Sequence, residues 1–140
     1  MPFLGSVATY EQVVASAQGG VTEGYYSMSS QPVIYPDTAT GAAKVFMDAY
    51  KAKFSADAPG PAQIGYVVAD IFIEGLKRAG KDLTADGMVK ALESINDYKN
   101  PFAPVTVKFS ATDHLGAREV FLTVVEKGRW KTLETGLTYK

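Results

Sequence analysis

The sequence predicts an α/β fold with an antiparallel component, and three features predict it. The opening segments read strand, helix, strand; amphipathic helical patterns then follow one another; and the closing segments are all strand. The chain has 140 residues, about the length of one domain, and its 46% hydrophobic and 21% charged residues are globular proportions that exclude a disordered chain or a fibre.

Pro2 to Gly5 is a short apolar run with the character of a strand. Thr9, followed three positions later by Gln12, has the spacing of a capping box for a helix running from Glu11 to Gln18. Gly19 and Gly20 supply the positive backbone angle that commonly closes a helix. Val21 to Met28, with adjacent Tyr25 and Tyr26, has the aromatic content of a strand. Ser29 to Thr40 holds serines, Pro32 and Pro36 around Val33, Ile34 and Tyr35, the composition of an extended crossover and of a segment boundary.

Thr40 caps the next helix, whose apolar members Phe46, Ala49, Tyr50 and Phe54 recur at intervals of three and four. Pro59, Gly60 and Pro61 break the chain. Pro61 then suits the first turn of the strongest helix, with Ile64, Val67, Val68, Ile71, Phe72, Leu76 and Ala79 as its apolar members, Lys77 and Arg78 in its last turn, and Gly80 as its stop. Thr84 begins a third helix with Met88, Val89, Leu92 and Ile95 as its stripe. Val105, Val107 and Phe109 alternate with polar residues as in a half-buried strand. Val120 to Val125 is apolar on both faces, as in a strand covered on two sides. Lys127 and Gly128 turn the chain into a last strand carrying Trp130 and Leu133. No internal repeat or low-complexity tract is present.

Fourteen basic and fifteen acidic residues give a formal net charge of -1, without the basic excess that binds nucleic acid. With no cysteine and a single histidine, His114, thiolate chemistry and a multi-histidine metal site are excluded within one chain. No segment approaches the roughly 20 apolar residues of a membrane span, the best candidate being interrupted by Asp70 and Glu74. The first residues have neither the basic nor the apolar region of a signal peptide, so if the parent is exported its leader is expected to have been removed or to lie upstream.

The glycines form no phosphate-binding loop, since Gly19 and Gly20 precede a strand. Asp113 and His114 adjoin Ser110 and Thr112, but the strained Gly-x-Ser-x-Gly elbow of a hydrolase is absent, and a polar turn between strands is the reading preferred. Asp70 and Glu74 share one helix face and have the spacing of an acid and base pair. Arg78, four residues beyond Glu74, favours a salt-bridged solvated face instead. Tyr10, Tyr25, Tyr26, Tyr35, Tyr66 and Phe102 have the amphipathic character that suits a small-molecule cleft, or a core and its rim. Ser6, Val7 and Ala8 lie in the loop leaving the carboxyl end of the first strand, before a helix start, which is where open α/β sheets bind ligands.

Phe3-Leu4-Gly5, Thr22-Glu23-Gly24-Tyr25-Tyr26, the helix with Phe46, Tyr50 and Phe54, Gly65-Tyr66 with Ala69 through Leu76, Ala79 and Gly80, and finally Phe109, His114, Val120 and Gly128 follow one another in a distinctive order. In that order they resemble the C-terminal portion of the type I periplasmic solute-binding proteins of the branched-chain amino acid transporter family, over nearly the whole chain. The resemblance implies a three-layer type of sheet with flanking helices and C-terminal antiparallel strands, a fragment of a two-lobe fold in a family more than twice this length. Residues 1–28 would form a strand-helix-strand of the second lobe, 29–115 a helical segment of the first lobe with crossover linkers, and 116–140 the terminal strands of the second lobe.

The same resemblance implies a non-enzymatic solute-binding component of an ABC transporter for amino acids or small organic acids, without metal or cofactor. Its partners would be the solute and a membrane permease, and its location periplasmic or otherwise extracytoplasmic. Ser6, Val7, Ala8 and Tyr10 match the second-lobe side of the cleft, and Tyr66 is one of the tyrosines suited to it. Without the remaining first-lobe segments, the helix from Ile64 to Ala79 would keep uncovered apolar faces, so the chain is expected to dimerise. The rival reading is a self-standing interaction domain of the same fold that has lost solute binding. An enzyme ranks third, for want of a site with defined roles.

Overall fold

A computed structural model describes residues 2–81 and 83–138. A four-stranded sheet has the order β1 (Leu4–Gly5), β2 (Tyr26–Ser29), β5 (Glu119–Glu126), β6 (Arg129–Thr138). β1 runs parallel to β2, and the other two pairings are antiparallel. Between β2 and β5 lie three helices, α2 (Gly41–Phe54), α3 (Gly60–Ala79) and α4 (Ala85–Glu93), and a small hairpin of β3 (Tyr98–Lys99) with β4 (Thr106–Val107). The sheet is thus made from the two ends of the chain and the helical layer from its middle.

The first helix is shorter than the sequence pattern suggests. Val7–Thr9 forms a 3-10 turn, and α1 covers only Gln12–Ala15. The capping box does not form: Glu11 occupies the N-cap without a side-chain bond, and the Thr9 hydroxyl donates back to the Ser6 carbonyl at 2.8 Å. In α2, Ala43 and Met47 are buried with Phe46 and Tyr50 beside them, whereas Ala49 and Phe54 face outward. The apolar stripe is therefore rotated from the expected one.

Helix α3 runs the full expected length, with Pro61 in its first turn and Gly80 at its end. It packs on α4 through Gly75, where a Cβ would lie 2.7 Å from a Leu92 methyl and 2.8 Å from the Met88 methyl, so only hydrogen allows this approach. Gly60, Gln63, Val67 and Gly75 are buried, while Ile64, Val68, Phe72 and Leu76 remain open to solvent. The helix is apolar on more than one face, and one of those faces is uncovered. At α4, the Thr84 hydroxyl accepts the Gly87 N–H at 3.0 Å, a formed N-cap.

In β5, Phe121, Thr123 and Val125 are buried and alternate with half-buried Val120, Leu122 and Val124. The strand is therefore covered well on one face only, against the expectation of two; Leu122 borders a shallow open hollow with Pro2, Phe3, Leu4 and Tyr26. The strand read from Val105 to Phe109 reduces to two paired residues. Lys127 and Gly128 both have positive φ, 54° and 72°, the backbone of a two-residue hairpin whose twist matches its strands.

Two principal cores result. One gathers Tyr10, Ala15, Val125 and Trp130 on the sheet, with Val14, Tyr25 and Val33 packed against them. The other gathers Ala39, Ala43, Met47, Ala58, Val67 and Phe102 among the helices, with Ile34, Phe46, Tyr66 and Ile71 at its edge. A smaller cluster of Ala103, Val105 and Phe121 joins the middle of the chain to β5.

Candidate functional site

Ser6, Val7 and Ala8 leave the carboxyl end of β1 on the surface, and Val7 is 59% exposed. Their loop is held in one shape by the Ser6 carbonyl, which accepts the Thr9 N–H at 3.0 Å, the Thr9 hydroxyl at 2.8 Å and the Ser27 hydroxyl at 3.1 Å. Ser27 is fully buried in β2, so the sheet itself anchors the loop. Gly5 is required at this point: the Tyr25 hydroxyl bonds to Thr9 Oγ1 at 3.2 Å directly over it, and a Cβ there would overlap both oxygens. Among the described residues none bonds the Ser6 side-chain hydroxyl. The loop presents a free hydroxyl and small apolar side chains on a rigid support.

Tyr10 stands behind this loop. It is 5% exposed, its ring lies 4.8 Å from that of Trp130, and its hydroxyl accepts the Val33 N–H at 3.1 Å. Burial raises its pKa, opposed in part by that hydrogen bond to the ionised form. Val7 and Tyr10 line a crevice of about 30 Å³ with Glu11, Gln31, Gly60 and Ile64, room for about one water molecule. Tyr66 lies elsewhere, in the helical core with its ring 4.7 Å from Phe46 and 5.8 Å from Phe102. The structure thus brings Ser6, Val7, Ala8 and Tyr10 to one lip and leaves Tyr66 in a different cluster.

The other polar candidates have protein partners. Ser110 and Asp113 exchange backbone hydrogen bonds at 2.9 and 3.2 Å in a tight turn. His114 Nε2 meets Glu93 Oε1 at 2.9 Å, and Arg118 bonds Asp113 at 2.8 Å, which holds that carboxyl below its usual range. Glu74 pairs with Arg78 at 2.8 Å as the helix spacing predicts, and Arg78 also reaches Asp97 at 2.7 Å. Asp70 accepts the Tyr98 hydroxyl at 2.8 Å. Burial and this carboxylate push the Tyr98 pKa well above the ordinary value. Among the described residues no group of three or more His, Cys, Asp or Glu has metal-holding geometry, and no helix is long and apolar enough to cross a membrane.

Sequence reasoning missed Gln63, which is 1% exposed. Its amide accepts the Ile34 N–H at 3.1 Å and donates to the carbonyls of Ile34 at 2.9 Å and Ala58 at 3.3 Å. The available signal was a polar residue four positions before Val67, on the buried side of a strongly apolar helix.

Comparison with known proteins matches residues 1–129 to a family described as periplasmic binding protein. No curated protein sequence is significantly similar. Among solved structures, a branched-chain amino acid ABC transporter protein from Thermus thermophilus with bound valine superimposes with a TM-score of 0.80 at 20% identity, over 99% of this chain and 40% of that one. A leucine binding protein from Thermotoga maritima gives 0.72 at 15%, over 96% and 37%. A solute binding protein from R. palustris in complex with benzoate gives 0.71 at 18%, over 99% and 36%. The fold is shared throughout, and the chain spans about two fifths of the length of these structures.

Proposed function

Since the chain belongs to the periplasmic binding protein family, we propose that it forms one wall of the solute cleft in the solute-binding component of an ABC transporter for amino acids or small organic acids. The observation that carries this reading is the rigid, exposed loop Ser6–Val7–Ala8 at the carboxyl end of β1. Ligands of open α/β sheets bind at such strand ends. The similar structures hold valine in one case and benzoate in another, both small carboxylates. In this reading residues 1–28 and 116–140 belong to one lobe and 29–115 to the other, the solute is handed to a membrane permease, and the setting is extracytoplasmic. Ser6, Val7 and Ala8 face the solute, and Tyr10 braces them from beneath. Tyr66 acts at the opposite side of the cleft, through the helical layer.

One wall gives weak affinity, because burial of most of a ligand's surface needs both sides of a cleft. A thermal-shift series with valine, leucine, isoleucine and benzoate tests the reading. At a concentration ten times a millimolar Kd, binding stabilises by about 1.4 kcal/mol, a shift of several degrees. No shift with any of the four, up to their solubility, contradicts it.

The uncovered row Ile64, Val68, Phe72 and Leu76 favours a second reading, self-association through α3. These side chains are 37% to 62% exposed at four-residue spacing, a continuous apolar ridge of the kind that marks an interaction surface.

A further inference from the structure

Among the described residues, the half-buried carboxylates are those of Glu11, Asp70, Glu74, Glu93 and Asp113. All but one have a protein partner: Asp70 accepts the Tyr98 hydroxyl, Glu74 pairs with Arg78, Glu93 meets His114, and Asp113 bonds Arg118. Glu11 is the exception, since no described donor or cation bonds its carboxylate. A carboxylate that has lost part of its water and gained no partner carries an unmet demand for a donor.

Its place in the fold shows what kind of donor fits. The Glu11 carbonyl accepts the Trp130 indole N–H at 2.8 Å, which fixes the residue to the sheet, while its side chain reaches towards the start of α3. Gly60 leaves room for it, because a Cβ there would stand 3.2 Å from Glu11 Oε2. The carboxylate thus lines the crevice of about 30 Å³ that Val7 of the β1 loop also lines. The positive end of α3 eases the charge, yet none of that helix's N–H groups bonds it.

The other polar side chains of the crevice are engaged within the protein. Ser29 Oγ is bonded to Gln31 at 2.8 and 3.2 Å, Gln31 Oε1 accepts from Asn100, the Tyr10 hydroxyl accepts the Val33 N–H, and Gln63 holds Ile34. No Lys or Arg lines it. Among the described residues no group of three or more His, Cys, Asp or Glu could hold a metal ion. A space about the size of one water, with one unmatched negative charge on its wall, fits an organic ammonium group.

We propose that Glu11 binds the ammonium group of the solute, so that the solute is an α-amino acid and not a carboxylic acid lacking an amine. The proposal rests on the cleft reading and decides between its two solute classes. Ser6, whose hydroxyl has no bond among the described residues, offers a donor to the solute carboxylate, and Glu11 offers an acceptor to its ammonium. A hydroxyl in place of the ammonium leaves the Glu11 charge unmatched, which is the kind of difference a polar site rejects strongly.

NMR titration of the 140-residue chain at pH 7 with valine and with 2-hydroxy-3-methylbutanoate, which differ only in that group, tests this. Valine is expected to bind at least about tenfold more tightly, and Glu11→Gln to abolish the preference by weakening valine alone. Glu119→Gln, which removes an equal charge at an exposed site, should leave both affinities unchanged. Equal binding of the two solutes to the wild-type chain, equal weakening of both by Glu11→Gln, or the same loss in Glu119→Gln would overturn the role of Glu11 and leave the cleft standing. Failure of both solutes to bind the wild-type chain would instead remove the cleft reading and this proposal with it. Should Glu11→Gln fail to fold, the wild-type contrast decides alone, with the Glu11 carboxyl carbon resonance expected to move with valine and not with the hydroxy acid.

Discussion

The Glu23 carboxylate accepts the N–H of Gly128 at 2.7 Å, and its other oxygen accepts that of Lys127 at 2.9 Å. One side chain near the start of the chain thereby closes both amides of the β5–β6 turn, more than a hundred residues away. A turn with two successive positive φ angles aims its N–H groups the same way, and a carboxylate matches the pair. Glu23→Ala is expected to lose about 1 kcal/mol in urea unfolding, with Glu23→Gln losing less because it keeps one acceptor. Equal stability of all three proteins would show that water replaces the carboxylate without cost.

Gly75 sets the separation of α3 and α4. Gly75→Val is expected to lose about 2 kcal/mol in the same assay, because the added methyls meet Leu92 and Met88 in a packed seam. Gly65, on the same helix with nothing within 4 Å of its missing Cβ, provides the control: Gly65→Ala should gain up to about 1 kcal/mol from helix propensity.

Tyr10, Tyr35 and Tyr98 all have raised pKa values, chiefly through burial. A group whose pKa is higher in the folded than in the unfolded chain contributes stability that is complete below its unfolded pKa and is lost as pH rises through its folded pKa. Stability is therefore expected to be level from pH 7 towards 10 and to fall steeply above 10. Tyr98→Phe should lower the plateau and soften the alkaline fall, since it removes both the ionisable group and its bond to Asp70. Unfolding midpoints across pH 7 to 11 check this, and an unchanged alkaline slope in Tyr98→Phe would contradict it.

The open ridge on α3 predicts association. Light scattering should give a mass above 15.0 kDa that rises with concentration. The double variant Val68→Glu with Phe72→Lys should return it to the mass of one chain. A wild-type mass equal to one chain at high micromolar concentration would remove the self-association reading.

Local signals carried most of the fold. The ends of α3 were legible because Pro61 and Gly80 act through backbone geometry alone, and the Glu74–Arg78 pair because four-residue spacing suffices for it. The first helix was over-read because Thr9 has a nearer partner in the Ser6 carbonyl, which the capping pattern does not include. The two-sided burial expected of β5 failed because what covers a sheet is a tertiary matter, and Phe3 and Leu4, beside Leu122, are themselves exposed. At the candidate site, the position of Ser6–Ala8 followed from the order of strand and loop. The hydrogen bonds of Tyr10 to Val33 and of Gln63 to Ile34 did not, since they join residues 23 and 29 positions apart, each through a single group.

The central claim, that the β1 loop is one wall of a solute cleft, is tested most directly by NMR titration of the isotope-labelled chain with valine and with benzoate. The account predicts millimolar binding of at least one of them, with the largest amide shifts at Ser6, Val7 and Ala8 and smaller ones at Val33 and Ile34. Shifts centred instead on the open face of α3, or none at concentrations where a millimolar ligand saturates its site, would contradict it.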